Sequence, residues 1–196
     1  MTTVPLFEAP RRQLSDRQVE VVDRLVAAAE IEVEEKGYDG LSVRSVARSA
    51  GVAPATAYTY FSSKDHLLAE LLWRRVLMVP ALAPDVEDDE EADDRLERAV
   101  VDLSMITSGS AAVVAACTQA LLSSNPDVKV LREKIGADIH RRLSVAGGTR
   151  VDPTVVSVLV TTYFGALLSA GMGHMAYEEV SAFVVTASSL MTGRHR

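Results

Sequence analysis

The spacing of hydrophobic residues along the chain predicts an all-α protein of about nine helices and indicates no strand. Apolar residues recur three and four positions apart, and glycine, proline and serine residues separate the periodic segments. We predict a helix over 15–36, two short helices between 41 and 64, and further helices over 63–78, 93–108, 110–124, 126–146, 153–172 and 177–192.

Two of these helices have an apolar stripe that defines their buried face. The first ends at Gly37, and its inward stripe is predicted to be Val19, Val22, Val26, Ala29 and Val33. The fourth precedes a break at 80–84, and its apolar residues are Leu67, Leu68, Leu71, Leu72 and Met78.

The segment from 41 to 64, LSVRSVARSAGVAPATAYTYFSSK, predicts a helix-turn-helix. Ser42 is a favourable N-cap, Gly51 can end the first helix in a left-handed conformation, and Val52 can fill the angle between the helices. Pro54 suits the first turn of the second helix. The alternative is a helical hairpin inside a core, but a core helix would not expose the polar tips of Thr56, Tyr58, Thr59 and Tyr60. The pattern therefore favours a helix that enters the DNA major groove.

These residues resemble the N-terminal domain of the TetR family of bacterial transcriptional regulators. The resemblance covers residues 15–72 and rests on an amphipathic first helix followed by GYDGLSVRSVA, AGVAPATAYTYF and SKDHLL. It implies an N-terminal three-helix helix-turn-helix domain and a C-terminal helical domain for ligand binding and dimerisation. We divide the chain accordingly into an N-terminal arm (1–14), a DNA-binding domain (15–66) and a ligand-binding and dimerisation domain (67–196).

The resemblance also implies roles on DNA. Arg44 matches a position that often contacts DNA, where it can bind a guanine edge or a phosphate, although a surface salt bridge is the alternative. Phosphate contacts are implied for Thr56, Tyr58 and Lys64, and contacts with base edges for Pro54, Ala55 and Thr59. Tyr60 replaces the usual histidine and can still donate to a phosphate, and Ala57 replaces the usual leucine. Arg11 and Arg12 either follow the DNA backbone from the arm or have no DNA role.

The formal net charge of −7 excludes indiscriminate coating of nucleic acid but is compatible with specific binding. Residues 1–80 carry ten basic and eleven acidic side chains, whereas residues 81–196 carry ten and sixteen. Arg44, Arg48 and Lys64 can still provide a local basic surface.

The last two predicted helices favour a homodimer. The eighth is apolar almost all round, so more than one of its sides should be buried, and in a small chain a second subunit can cover one side. A monomer core is the alternative. The expected interface residues are Val158, Gly165, Ala166, Ser169, Val180, Phe183, Val184, Ala187 and Met191. A two-fold dimer suits a palindromic operator in double-stranded DNA.

In the TetR family a small molecule enters the C-terminal domain and alters the spacing of the recognition helices. The residues proposed to line such a cavity here are Trp73, Met78, Met105, Cys117, Gln119, Tyr163, Phe164, Met172 and His174. Helices six and eight contain few charges, which favours a neutral, hydrophobic effector.

The remaining features predict no enzyme, cofactor or metal site. The chain lacks the common nucleotide, hydrolase and zinc motifs, its histidines lack ligand spacing, and the acidic run DVEDDEEADD lacks the pattern of a calcium loop. Cys117 is the single cysteine, and neither a signal peptide nor an uninterrupted run of 18 apolar residues is present, so we expect a soluble cytoplasmic protein. The sequence thus predicts a ligand-released TetR-like repressor, and the alternative is an effector-independent DNA-binding or architectural protein that acts through a protein partner.

Overall fold

The computed structural model describes residues 15–80 and 92–193, and within these ranges the chain forms nine α-helices and no strand. The all-α prediction is confirmed. The helices are α1 (Asp16–Gly40), α2 (Val43–Ser49), α3 (Pro54–Tyr60), α4 (Lys64–Met78), α5 (Ala92–Leu103), α6 (Ala111–Ala120), α7 (Pro126–Gly147), α8 (Pro153–Gly171) and α9 (Val180–Thr192). Two 3₁₀ turns, Ser104–Thr107 and Tyr177–Glu179, follow α5 and precede α9.

Local capping explains where several helices begin. A side-chain oxygen just before the helix accepts a hydrogen bond from a backbone N–H group of the first turn, at 2.7–3.0 Å. The capping residues are Ser42, Ser63, Asn125 and Asp152. Proline follows Asn125 and Asp152 directly, at the first helical position, where its missing N–H group costs nothing.

The predicted stripe of α1 is correct except at its first member. The helix breaks at Gly37, whose φ is +69°, and its interior residues from Val22 to Val33 are buried as expected. Val19, however, is 42% exposed, and Met78 of α4 is 77% exposed. Both predictions were wrong because these residues lie in terminal turns that extend beyond the core, as the exposure of residues 15–20 and 77–78 indicates.

The fifth and sixth helices are shorter than predicted. After α5 the hydroxyls of Thr107 and Ser108 donate to the carbonyls of Ser104 and Met105, at 3.0 and 2.8 Å. Such bonds compete with the helical pattern, and the chain continues as a 3₁₀ turn. After α6 the Arg132 guanidinium donates to backbone carbonyls of the following turn, which ends that helix early.

Helix α4 connects the two parts of the molecule. It begins directly after α3 and packs against α1, α6 and α7. The predicted domain boundary at residue 66 falls within its first turn. Buried residues on both sides of this boundary belong to one hydrophobic core, so a shift of α4 would be felt in both predicted domains.

Helix α8 is strongly apolar, although the chain contains no uninterrupted run of 18 apolar residues. An 18-residue window has a mean hydropathy of 1.6, which satisfies the length and composition of a membrane span. In the folded chain α8 packs against α6, α7 and α9, and 33% of this window is buried within the protomer. Its remaining apolar face is exposed in the isolated chain.

Candidate DNA-binding surface and ligand cavity

A Schellman motif sets the angle between α2 and α3. Gly51 has a φ of +65°, a left-handed conformation that residues with a side chain rarely adopt. Its N–H group donates to the Arg48 carbonyl at 3.2 Å, and the Val52 N–H group donates to the Ala47 carbonyl at 2.8 Å. These two bonds complete the motif, and Val52 is buried at the turn as predicted.

The face of α3 that points away from the core is exposed. Arg44 of α2 is exposed, and so are five residues of α3, namely Pro54, Ala55, Thr56, Tyr58 and Thr59. Tyr60 is half-buried and packs against the core. The Thr59 hydroxyl donates to the Thr56 carbonyl at 2.6 Å, so this hydroxyl is already engaged within the helix. The face therefore combines small apolar groups and the Thr56 hydroxyl with one arginine and one tyrosine.

Lys64 is held against Tyr38, a contact that sequence reasoning missed. Its ammonium group donates to the Tyr38 carbonyl at 2.9 Å and lies 3.9 Å from the centre of the Tyr38 ring. The Tyr38 hydroxyl donates to Asp65 Oδ1 at 2.5 Å. Burial and this hydrogen bond raise the pKa of Tyr38 to about 12, which keeps the hydroxyl protonated as a donor. Tyr38 thus fixes the start of α4, and Lys64 must leave or share this contact to reach a phosphate.

The connection between α3 and α4 is ordered by His66. Its ring packs edge-to-face on Phe61 at 5.4 Å between ring centres, and its Nδ1 accepts a hydrogen bond from the Ser62 N–H group at 3.3 Å. Burial lowers the pKa of His66 despite the opposing charges of Asp127 and Glu70. The neutral ring that results is the form that can accept this bond.

A small cavity lies among α4, α6, α7, α8 and the 3₁₀ turn after α5. Its volume is about 10 Å³, room for roughly one water molecule. It is lined by Leu72, Ile106, Thr107, Val114, Thr118, Leu121, Ile135, Ile139, Tyr163, Phe164 and Leu167. The Tyr163 hydroxyl donates to the Leu103 carbonyl at 3.2 Å, and burial raises the pKa of Tyr163 well above its usual value. The wall is therefore uncharged.

Two of the nine predicted lining residues, Tyr163 and Phe164, line this cavity. Five others are exposed and do not line it, namely Met78, Met105, Gln119, Met172 and His174. Trp73 is half-buried and Cys117 is buried, and neither borders the cavity. None of these seven lines this cavity, because residue type alone does not show which side chains border a given cavity, and for them the ligand-lining role stays a prediction. Burial raises the pKa of the Cys117 thiol to about 12, as expected for an unreactive core cysteine.

Large apolar side chains are exposed on α8 and α9, next to hydroxyl-bearing residues such as Ser157, Thr161 and Thr186. Val158 and Leu168 of α8 are 43% and 37% exposed, and Met172, directly after α8, is 65% exposed. Phe183 and Leu190 of α9 are 51% and 49% exposed. Gly165 and Met191 are also exposed, and Ser169 and Ala187 are half-buried.

Three predicted interface residues face the protomer's own core instead. Ala166, Val180 and Val184 are 3%, 1% and 0% exposed, so for them the interface prediction needs correction. They lie on the sides of α8 and α9 that face the rest of the chain. Sequence reasoning also missed Leu168 and Leu190, which helical spacing from Val158 and Phe183 could have found.

Residues 25–71 match the model of the bacterial regulatory proteins of the tetR family. An HTH-type transcriptional regulator from Mycobacterium tuberculosis is 41% identical over 181 residues, which cover 91% of this chain and 83% of the relative. The chain belongs to the TetR family. It is therefore a DNA-binding transcriptional regulator with an N-terminal helix-turn-helix.

Solved structures of TetR regulators share the fold. One from Rhodococcus sp. RHA1 has a TM-score of 0.72 at 22% identity and covers 93% of this chain and 100% of its own. FadR from Bacillus subtilis, in complex with stearoyl-CoA, has a TM-score of 0.64 at 19% identity. The match covers 88% of this chain and 98% of the FadR chain. The nine-helix arrangement is thus that of the TetR fold.

The two departures from the TetR pattern have different environments. Ala57, at the position of the usual leucine, is 0% exposed and forms the inner side of α3. Tyr60, at the position of the usual histidine, is half-buried, so only part of its side chain is accessible. Helix α3 is consequently attached to the core by small and aromatic groups.

Some predicted features lie outside the described residues. These are the arm with Arg11 and Arg12, most of the acidic run, and His195. Within 15–80 and 92–193, no group of three or more His, Cys, Asp or Glu side chains could hold a metal ion.

Proposed function

We propose that this TetR-family protein is a soluble cytoplasmic homodimeric repressor that binds a palindromic operator and is released by a small hydrophobic effector. DNA binding is supported by the exposed face of α3, which lies beside Arg44. The Schellman motif at Gly51 sets the angle of α3 relative to α2. Such a helix can lie in the major groove while α2 crosses the backbone.

On this surface, phosphate and base contacts divide by chemistry. Tyr58 and Thr56 present hydroxyls that suit phosphates, and Lys64 adds a charge once it moves from Tyr38. Pro54, Ala55 and Thr59 suit apolar contacts with thymine methyl groups, especially since the Thr59 hydroxyl is engaged within the helix. Arg44 is then the side chain best able to read guanine.

The exposed stripes of α8 and α9 support dimerisation. They place large apolar side chains side by side on two helices that pack against each other, and a contiguous exposed apolar surface of this kind favours a protein partner. Two copies related by a two-fold axis would bury both stripes in a four-helix interface. The same symmetry would present two α3 helices to the two halves of a palindrome.

The uncharged cavity supports an apolar effector. Its polar groups are largely satisfied by the protein, since Tyr163 donates to Leu103 and Thr107 donates to Ser104. Leu72 of α4 forms part of the wall, so a molecule that enlarges the cavity must push on the helix that begins beside α3. The stearoyl-CoA bound to B. subtilis FadR supports the idea that this fold can accommodate a long alkyl chain.

The small volume of the cavity, about 10 Å³, also favours the second candidate, an effector-independent regulator that acts through a protein partner. The two functions differ in whether a small molecule opens this site.

Three substitutions test the DNA surface. Tyr58→Phe and Lys64→Ala should each weaken binding to all DNA sequences similarly, by about threefold to tenfold, because they remove phosphate contacts. Arg44→Ala should cost about 1–3 kcal/mol at the preferred site and relax its sequence preference, because a base contact is lost. The operator is first selected by the wild-type protein from a random DNA library, and affinities are then measured at fixed salt.

Arg150→Ala is the matched control, since Arg150 is an exposed arginine in the turn between α7 and α8. Unchanged affinity and unchanged preference in all three variants would remove α2 and α3 as the DNA-binding surface.

A filled cavity should abolish the effector response. Native mass spectrometry of the purified protein and thermal-shift assays with fatty acids and neutral aromatic compounds should reveal a molecule that stabilises the protein and releases the selected DNA. Ile139→Phe should retain DNA binding and lose this response, at a stability cost of about 1–3 kcal/mol from overpacking.

Val130→Phe enlarges an exposed side chain of the same helix and should respond normally. If no compound in the panel shifts either unfolding or DNA binding, the effector-independent candidate is favoured.

A further inference from the structure

The first turn of α7 is hydrogen-bonded to the junction between α3 and α4. The Ser62 hydroxyl donates to Asp127 Oδ2 at 2.6 Å. The Asn125 side-chain amide donates to the hydroxyl oxygens of Ser62 and Ser63, at 3.1 and 3.3 Å. These bonds join residues more than sixty positions apart in the chain, across the boundary between the two predicted domains.

Two of the bonded residues also cap the helices that they precede. Ser63 accepts from the His66 N–H group at the start of α4, and Asn125 accepts from the Asp127 N–H group at the start of α7. The two caps are bonded directly to each other. The start of α4 therefore cannot shift relative to the start of α7 unless these bonds break.

The other end of α7 holds the other end of α4. The Arg142 guanidinium donates to the carbonyls of Val79 and Pro80 at 2.9 and 2.8 Å, and to that of Val76 at 3.3 Å. This contact is buried, whereas the Ser62 contacts are solvent-exposed. Because water competes for exposed hydrogen bonds, the end of α7 near Ser62 should separate first.

The middle of α7 forms a wall of the cavity. Ile135 and Ile139 line it, and Leu72 lines it from α4. A molecule that enters between these side chains pushes α7 and α4 apart. Because Arg142 holds the C-terminal ends of α4 and α7 together, the two helices separate most at their N-terminal ends, beside α3.

We propose that Asn125 and Asp127 are positioning residues for DNA binding. Their hydrogen bonds to Ser62, called the latch below, hold the α3–α4 junction in place while the cavity is closed. Opening the cavity breaks these hydrogen bonds. This inference rests on the proposed function, since the latch matters only if α3 reads DNA. It assigns α7 a direct connection to the DNA-binding domain in addition to the packing of α4.

A double-mutant cycle tests the latch. Ser62→Ala and Asp127→Ala should each weaken binding to the selected operator by about threefold to tenfold, because the junction is no longer held. The double variant should bind the operator no more weakly than Ser62→Ala alone, because Ser62→Ala already removes the bond to Asp127. Ser62→Thr and Asp127→Asn retain a hydroxyl and an acceptor oxygen and should restore affinity. Thermal unfolding and operator binding are measured on the full chain.

Ser124→Ala is the matched control, an exposed serine one residue before the α7 cap. Wild-type affinity in Ser62→Ala and Asp127→Ala, or losses that simply add in the double variant, would overturn the latch. If Arg44, Tyr58 and Lys64 still matter in that case, the proposed function survives. If those three substitutions also have no effect, the failure lies in the DNA surface instead.

Discussion

Phe183→Asp is expected to convert the proposed dimer into a folded monomer and to weaken binding to a palindromic operator by about a hundredfold or more. Phe183 is 51% exposed in the isolated chain, so the substitution leaves the protomer core intact. In a two-fold interface the same change would place a carboxylate on each subunit against an apolar surface, where an unpaired charge is strongly disfavoured. A monomer could occupy only one half-site at a time, and the gain from joining two half-sites would be lost.

Light scattering after size-exclusion chromatography measures the oligomeric state, and gel-shift titration with full and half operators measures affinity. Ile31→Asp is the matched control, because Ile31 is 58% exposed on α1, away from α8 and α9. This control should remain dimeric with wild-type affinity. A dimeric Phe183→Asp protein that binds the palindrome normally would show that the exposed face of α8 and α9 is not the interface.

Arg142→Met is expected to lower the free energy of unfolding by about 3–5 kcal/mol, the cost of breaking a buried charge pair from one side. Arg142 is 7% exposed, and its Nε donates to Asp138 at 2.5 Å while its other nitrogens cap the end of α4. The substitution leaves these backbone carbonyls without their donor. It also leaves the Asp138 carboxylate with Arg141 alone.

The pH dependence should follow the state of Asp138. Burial acts to raise the pKa of this carboxyl, but the hydrogen bonds and charges of Arg142 and Arg141 outweigh it, and the pKa lies below its usual value of 3.8. A lowered pKa means that the unfolded chain takes up the proton first, so the stabilisation is complete above pH 3.8 and is lost as the pH falls below it. Arg142→Met should reduce this acid sensitivity.

Urea denaturation at neutral and acidic pH measures both effects. Arg141→Met is the matched control, because Arg141 bonds the same carboxylate at 2.5 Å but is exposed. Its cost should be at most about 1 kcal/mol, as for surface ion pairs. If Arg142→Met and Arg141→Met lower the free energy of unfolding equally, Arg142 does not act by holding the end of α4.

The geometry of the candidate DNA-binding surface was largely predictable because it depends on neighbours in the sequence. The bonds of Gly51 and Val52 that set the angle of the two helices span at most five residues. Lys64 is the exception, since its contact with Tyr38 crosses 26 positions and has no local signal. Its ammonium was expected to be free for phosphate and is instead packed on a ring.

The lining of the cavity and the proposed dimer surface were less predictable because both depend on which side of a helix faces which neighbour. Met78, Met105 and Met172 resemble cavity residues by type, yet they are exposed. On α9, Val184 and Phe183 are adjacent and both apolar, but one is buried in the protomer and the other is 51% exposed. Consecutive residues of a helix point about 100° apart around its axis, so they can face different neighbours, and hydrophobicity alone does not distinguish the two.

The approximate positions of the helices, the helix-turn-helix and the TetR family could be predicted from the amino-acid sequence, because they depend on short-range hydrogen bonds and on a dense local motif. The contacts by which α7 holds both ends of α4, through Asn125 and Asp127 at one end and Arg142 at the other, have no signal in the sequence and appear only in the folded chain. The physical reason is that these contacts join residues more than sixty positions apart, and only the packing of the core brings them within hydrogen-bond distance.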